Sequence, residues 1–247
     1  MRITLISDLH LKFKETTEDK SRRKQVINFL ESLKKNTDIL ILNGDIFDLW
    51  VAWEKVIIKG YFPILKKLAD LNEAGIRLIF IAGNHDFWFN NFLNNYLNFE
   101  IYDDFFFEKI DQKKIFVTHG DKYTSNDFRY KLFRTIIRNN FVKTIFKAIH
   151  PDLALSFGNL LSRSSRKRRD SSSTIKRKES GLINFAKQNL TKYDIIIMGH
   201  SHSPIIKNFN DKFYINSGDW INHNSYVTII NGKPELKYWK NTGGFNE

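Results

Sequence analysis

Five short apolar runs, rich in β-branched residues, constrain this chain most, because each stops at a corner carrying carboxylate, amide or imidazole. The runs RITLIS, DILILN, RLIFIA, KIFVT and DIIIM lead into SDLH, NGDIFD, GNHD, THGD and GHSH. Their length and lack of alternation predict strands buried on both faces. Two further runs, KFYINS and SYVTII, add strands towards the carboxyl end. Between them Val26, Phe29, Leu30 and Leu33 recur at helical spacing, as do Ile64, Leu68 and Leu71, with Gly75 placed as a helix stop. Strand–helix alternation in front and strand-rich sequence behind predict an α/β (α+β) protein with substantial sheet.

Ligands of open α/β sheets gather beyond the carboxyl ends of the strands. The corners would therefore bring Asp8, His10, Asp45, Asp48, Asn84, His85, Asp86, His119, His200 and His202 to one edge. Gly44, Gly83 and Gly199 directly precede ligand candidates, where a tight turn favours a residue without a Cβ. Carboxylate, amide and imidazole donors without thiolate suit Mn, Fe or Zn in a two-metal site. Two ions ~3.5–4 Å apart can hold the attacking and leaving oxygens of an in-line displacement at phosphorus. An isolated Asp-Leu-His is common by accident; five such corners on five strand ends are not. Asp48 and Asp86 fit supporting or capping roles as well as ligation, and His150 and His223 read as loop residues.

The 247 residues suit one α/β domain with a small insertion. With no cysteine, a disulfide framework and a thiolate zinc site are excluded. The opening MRITLISDLHL has no apolar core of a signal peptide, and no run approaches the ~20 apolar residues of a membrane span. Of the net +12, all lies between Lys122 and Lys178, where fifteen Lys/Arg face three acids. Residues 126–180 accordingly read as a basic helical insertion, flanked by a core of 1–125 and 181–247. Within it Leu132, Phe133, Ile136, Ile137, Ile145, Phe146 and Ile149 form a helical stripe, broken near Asn139-Asn140. A second helical piece follows Pro151, and RSSRKRRDSSSTIKRK is expected to be mobile. The segment is built to meet anions.

The ordered motifs Asp-x-His, Gly-Asp-x-x-Asp, Gly-Asn-His-Asp, His and Gly-His-x-His resemble the calcineurin-like metallophosphoesterases over most of the chain. The resemblance implies a four-layer fold, two packed mixed sheets flanked by helices, with a helical lid insertion. It also implies that Asp8, His10 and His202 hold one divalent ion, that Asn84, His119 and His200 hold a second, and that Asp45 bridges them. His85 matches the general-acid position. Within that superfamily, SDLHL, GDIFDLW, GNHDFW, THGD, the arginine-rich insertion and GHSHSP are similar to the UDP-2,3-diacylglucosamine pyrophosphohydrolases. That likeness implies release of UMP and 2,3-diacylglucosamine 1-phosphate in lipid A biosynthesis, with Mn²⁺. It implies a cytoplasmic location, peripheral on the inner membrane. Substrate contacts would then come from Asn84, His85, Asp127, Ser165, Arg166 and His200. Familiar members carry Arg where this chain has His85. A nuclease or nucleotide phosphodiesterase would use the same metals, but basic residues interleaved with Leu, Ile and Phe suit lipid better than a nucleic-acid groove. A scaffold that had lost its ligands does not fit, since every ligand position is filled. No partner protein is implied.

Overall fold

In the computed structural model, which describes residues 1–89, 91–124, 134–156, 158 and 171–240, each of the five runs is a strand ending at its polar corner. These are β1 (Arg2–Ile6), β2 (Ile39–Asn43), β3 (Arg77–Ile81), β6 (Lys113–Thr118) and β7 (Ile195–Met198). The first three are parallel neighbours, with Ile3 opposite Ile39 and Ile39 opposite Arg77. They share a sheet with β4 (Glu100–Tyr102), β10 (Ser225–Ile230) and β11 (Lys233–Tyr238), in the order β11-β10-β1-β2-β3-β4. The second sheet adds β5 (Phe105–Ile110), β8 (Ile205–Phe209) and β9 (Lys212–Asn216), in the order β5-β6-β7-β9-β8. Both sheets are parallel at the centre and carry antiparallel strands, so both are mixed.

The unbroken apolar runs follow from burial on both faces. Ile3, Leu5, Ile39, Ile41, Ile79 and Ile81 point between the sheets, against Ile115, Val117, Ile195, Ile197 and Ile215. Their neighbours point outward: Ile6, Leu40, Leu42, Leu78 and Phe80 lie beneath α1 (Thr17–Leu33), α2 (Phe62–Glu73) and α3 (Phe92–Leu97). On the far side Phe116, Ile196, Met198 and Tyr214 pack against Leu182, Ala186 and Leu190 of α5 (Ser172–Asn189) and its cap. The result is helix, sheet, sheet, helix, as expected. Helix α1 starts on a capping box: Thr16 Oγ1 accepts from Asp19 N–H while Asp19 accepts from Thr16 N–H. Helix α2 stops where anticipated, because Gly75 takes φ +86° and lets its own and the next N–H reach back to Asn72 and Leu71.

Within the insertion, residues 134–137 and 151–156 are helical, and α4 (Asn140–Ala148) lies between them. The Asn139 break is a cap, its side chain accepting from Phe141 N–H. His150 does similar work, with Nδ1 accepting from Asp152 N–H at the start of the following turn. The oily stripe is divided between two surfaces. Ile137, Val142, Phe146 and Leu155 pack on the core, with the Phe146 ring 4.8 Å from that of Trp88, whose Nε1–H donates to Ile137 O. Ile136, Phe141, Ile145, Ile149 and Leu153 face outward. One expectation is corrected: Ser172–Lys178 is the beginning of α5, capped by Ser171, rather than a mobile stretch. Leu132, Phe133 and most of the Ser/Arg-rich run lie outside the described residues.

Candidate metal centre

Five ligand candidates hold a left-handed backbone: Asp8 (φ 54°), His10 (45°), Asp45 (53°), His200 (65°) and His202 (57°). That region is sparsely used by residues with a Cβ, and neighbouring structure must over-determine it. Here the strand ends are cross-linked. Asp8 N–H donates to Gly44 O at 3.1 Å, His10 N–H to Asp45 O at 2.9 Å, and Gly199 N–H to His119 O at 3.0 Å. Of the three glycines before ligand candidates, Gly44 takes φ +74°, whereas Gly83 and Gly199 serve close approach. A Cβ on Gly83 would lie 2.3 Å from Asp45 Oδ1, and one on Gly199 would lie 2.5 Å from Asp8 Oδ2.

Two groups of donors result, each with ligand atoms mutually within 4.8 Å: Asp8, His10 and His202, and Asp45, His119 and His200. In the first, His202 Nε2 is 3.2 Å from Asp8 Oδ1 and 3.3 Å from His10 Nε2. In the second, Asn84 Oδ1 lies 3.2 Å from His119 Nε2 and 2.9 Å from His200 Nδ1. Asp45 spans both. Its Oδ2 is 3.4 Å from His119 Nε2 and 3.7 Å from His10 Nε2, while Oδ1 accepts from the Asn84 and His85 N–H groups. Asp8 Oδ1 is buried with no hydrogen bond among the described residues, and it faces two imidazoles. Divalent cations fit such a convergent set of carboxylate, amide and imidazole donors.

The supporting contacts orient the donors. His119 Nδ1 sits 2.9 Å from Asn43 O, so Nδ1–H donates there and Nε2 is presented to the site. Asp8 Oδ2 accepts from Ser7 Oγ and from His200 N–H. Asp86, which sequence left between ligand and support, is turned away from the donors and accepts four backbone N–H groups. Those of Asp45 (2.9 Å) and Gly83 (3.1 Å) meet Oδ1; those of Ile46 (2.7 Å) and Phe47 (3.0 Å) meet Oδ2. Asp48 O lies 3.0 Å from His85 Nδ1, and Asp48 Oδ1 lies 3.9 Å from His10 Nδ1. The same side chains make a third cluster, His10, Asp48 and His85. His223, read as an ordinary loop residue, bonds through Nδ1 to Asp219 Oδ2 at 2.7 Å, and that oxygen is 3.9 Å from His202 Nδ1.

Burial and close approach make these groups perturb one another strongly. Burial alone would raise the Asp45 carboxyl, but the fields of His119, His85 and His10 hold it well below the carboxylate range. Burial would likewise lower His119, yet Asp45 lifts it to about 10. His200, penalised by burial and then by His119, falls to about 3. Asp86 is pushed up to about 7 by burial and by the neighbouring Asp45, against the pull of its amide donors.

Two arginines of the insertion end beside this centre. Arg134 Nε donates to Asp121 Oδ2 at 2.7 Å, two residues beyond His119. Arg138 donates to Gly83 O at 2.7 Å, next to Asn84, and lies over the Phe87 ring. Asp127, Ser165 and Arg166 lie outside the described residues.

A two-sheet sandwich whose parallel strand ends converge on carboxylate, amide and imidazole defines the class of metal-dependent phosphoester hydrolases. Residues 1–204 match the family described as Calcineurin-like phosphoesterase, and the chain belongs to that family. It is similar to the UDP-2,3-diacylglucosamine hydrolase of Porphyromonas gingivalis, with 28% identity over 243 residues, covering 92% of this chain and 93% of that one. The protein of the same name from Shewanella halifaxensis is 25% identical, covering 96% and 97% of the two chains. Among solved structures, an archaeal phosphodiesterase superposes with a TM-score of 0.50 at 20% identity, covering 97% of this chain and all of the other, which shows a shared fold.

Proposed function

We propose that the chain hydrolyses the pyrophosphate of UDP-2,3-diacylglucosamine to UMP and 2,3-diacylglucosamine 1-phosphate, using two divalent ions, with Mn²⁺ the metal the resemblance implies. In this reading Asp8, His10 and His202 hold one ion, Asn84, His119 and His200 the other, and Asp45 both. Bound there, the ions would supply charge neutralisation at phosphorus and a water acidic enough to attack near neutral pH. With Nδ1 of His85 held by Asp48 O, Nε2 is the nitrogen left for the departing oxygen. A sugar 1-phosphate with a second pKa of roughly 6 needs little protonation on departure, so at the His85 position a group that stabilises charge would serve as well as a proton donor.

The observation that carries the lipid reading is an open cleft of about 760 Å³ beside the insertion. Trp53, Val56, Ile57, Phe92 and Tyr96 line it together with the polar Glu54, Lys55, Asn91, Asn95 and Lys147 of α4, and the ligand candidates lie outside it. It offers apolar surface for acyl chains, a feature a nucleic-acid groove does not need. Asp127, Ser165 and Arg166 are proposed as further substrate contacts, and residues 126–180 as the lid. The outward residues Phe141, Ile145 and Ile149, with Lys143 and Lys147 on the same helix, suit an anionic bilayer surface. No helix among the described residues is long and apolar enough to cross a membrane.

The test offers the Mn²⁺-loaded protein UDP-2,3-diacylglucosamine, single-stranded DNA and a simple aryl phosphodiester side by side. Release of UMP and the lipid 1-phosphate, far ahead of the others, is expected. Preferential cleavage of DNA, or lipid-nucleotide turnover no better than the aryl ester, overturns the substrate.

A further inference from the structure

Glu179 is an acid where helix packing calls for an apolar residue. It lies on the face of α5 that carries Leu182 and Ala186 into the outer core, and only 7% of its surface is exposed. Burying a carboxyl there is costly unless donors meet it. Three do. Oε2 accepts from Ser201 Oγ at 2.6 Å and Asn216 Nδ2 at 3.1 Å, and Oε1 accepts from Tyr214 Oη at 2.7 Å. Burial still raises the carboxyl above its ordinary range, against the pull of those donors.

The donors show what this arrangement holds. Ser201 stands between His200 and His202, both in the left-handed region. Asn216 Nδ2 also lies 2.8 Å from both Gly199 O and Ser201 Oγ, its two N–H bonds shared among three acceptors, and its Oδ1 accepts from Gly218 N–H at 3.0 Å. Gly199–His202 is therefore gripped from behind at alternate positions, leaving both imidazoles facing the donor clusters. We propose that Glu179 is the positioning residue of this loop, holding His200 and His202 in register for metal through Ser201 and Asn216. The proposal rests on the assignment of those two histidines as ligands. It adds a consequence: α5 is the helix by which the chain returns from the insertion, so the Glu179 contact ties the insertion's trailing end to the metal loop.

The measurement is metal binding, read apart from turnover. Mn²⁺ affinity is titrated calorimetrically, and the Co²⁺-loaded protein gives a ligand-field spectrum that reports coordination. Glu179→Ala is expected to weaken binding by on the order of 10–100-fold and to change the Co²⁺ spectrum. Glu179→Gln should largely restore both, since its amide oxygen can still accept from Ser201 and Asn216 while its NH₂ donates to Tyr214. Leu190→Ala, which opens the same core at the far end of α5, should lower Tm with affinity and spectrum unchanged. Parental affinity and spectrum in folded Glu179→Ala overturn the proposal, as do equal changes in Leu190→Ala at a matched Tm. Should Glu179→Ala fail to fold, Ser201→Ala cuts the same contact from the loop side, and parental metal binding there is equally fatal. A parent that binds neither ion sinks the ligand assignment itself, which separates that failure from this one.

Discussion

Asp86→Asn isolates the carboxylate that shapes two ligand loops without facing the donors. Its oxygens each accept two amides, from Asp45 and Gly83 on one side and Ile46 and Phe47 on the other. An asparagine of the same shape can present its oxygen to only one pair. The other pair then meets an NH₂, leaving two buried backbone donors unpaired at ~1–3 kcal/mol each. The sum, about 4 kcal/mol, is partly offset because a neutral amide is easier to bury than a charge, so a net loss of ~2–4 kcal/mol is expected. Burial and Asp45 push the parental group up to about 7, so the comparison belongs at pH 8, where the carboxylate prevails. Urea denaturation of both metal-free proteins gives the difference, provided the m-values agree. Calorimetric Mn²⁺ titration of the folded variant should show weaker binding by ~10–100-fold, because the displaced amides belong to the Asp45 turn and to Gly83. A variant within ~0.5 kcal/mol of the parent, with unchanged metal affinity, would refute the claim that one carboxylate organises both loops.

The other expectations are simpler. Asp45→Asn should reduce turnover by on the order of 10³-fold if Oδ2 serves both clusters; near-normal rates at full metal occupancy would exclude the bridging role. On the lipid nucleotide His85→Arg should retain more activity than His85→Ala, whereas an alkyl phosphodiester, which needs a proton on its leaving group, should suffer from both; equal loss on the lipid substrate counts against a charge-only role. Burial raises the Asp19 carboxyl, but hydrogen bonds from Lys12 and Thr16 bring it below the ordinary range. Since its folded value lies below the unfolded one, its contribution is complete above ~4 and is lost as pH falls through the folded value. Asp19→Ala should cost about 1 kcal/mol at pH 7 and flatten the acid side of the stability curve; an unchanged acid limb would show the capping box to be idle.

The central strands were legible because a strand buried on both faces reads as an unbroken β-branched run, and β1, β2, β3, β6 and β7 are such strands. Edge strands are less visible. FFFEKI (β5) and KPELKY (β11) have one covered face or none, and their sequences carry Lys and Glu that local reading assigns to loops. The site's donors were legible by residue type. Their support was not, because nothing local marks Asp86 as the acceptor of four amides from two loops, or Asp219 as the partner of His223. Nor does local composition show that Ser172–Lys178 is helix. A run of serine and lysine looks solvated, and its order comes from downstream, where Glu179, Leu182, Ala186 and Leu190 repeat at helical spacing along one buried stripe.

That stripe also bears on how the insertion relates to the metal centre. By sequence the basic, oily segment looked like a detachable cover, its arginines turned to anions. In the fold, two of them are spent on the protein itself. Arg134 pairs with Asp121 just past His119, and Arg138 takes the carbonyl of Gly83 just before Asn84. Glu179 grips the His200–His202 loop from the segment's other end. The corners of three different strands, β3, β6 and β7, are thereby touched by residues between 134 and 179. Each contact lands within two residues of a ligand candidate on the backbone or on a side chain that braces it, so displacement of the insertion and distortion of the donor set are not independent events. The excess charge that drew attention to the segment is accordingly divided: the arginines nearest the core fasten it, and the lysines of α4, on the helix that turns Phe141 and Ile145 outward, are those the proposed contact with an anionic surface would use.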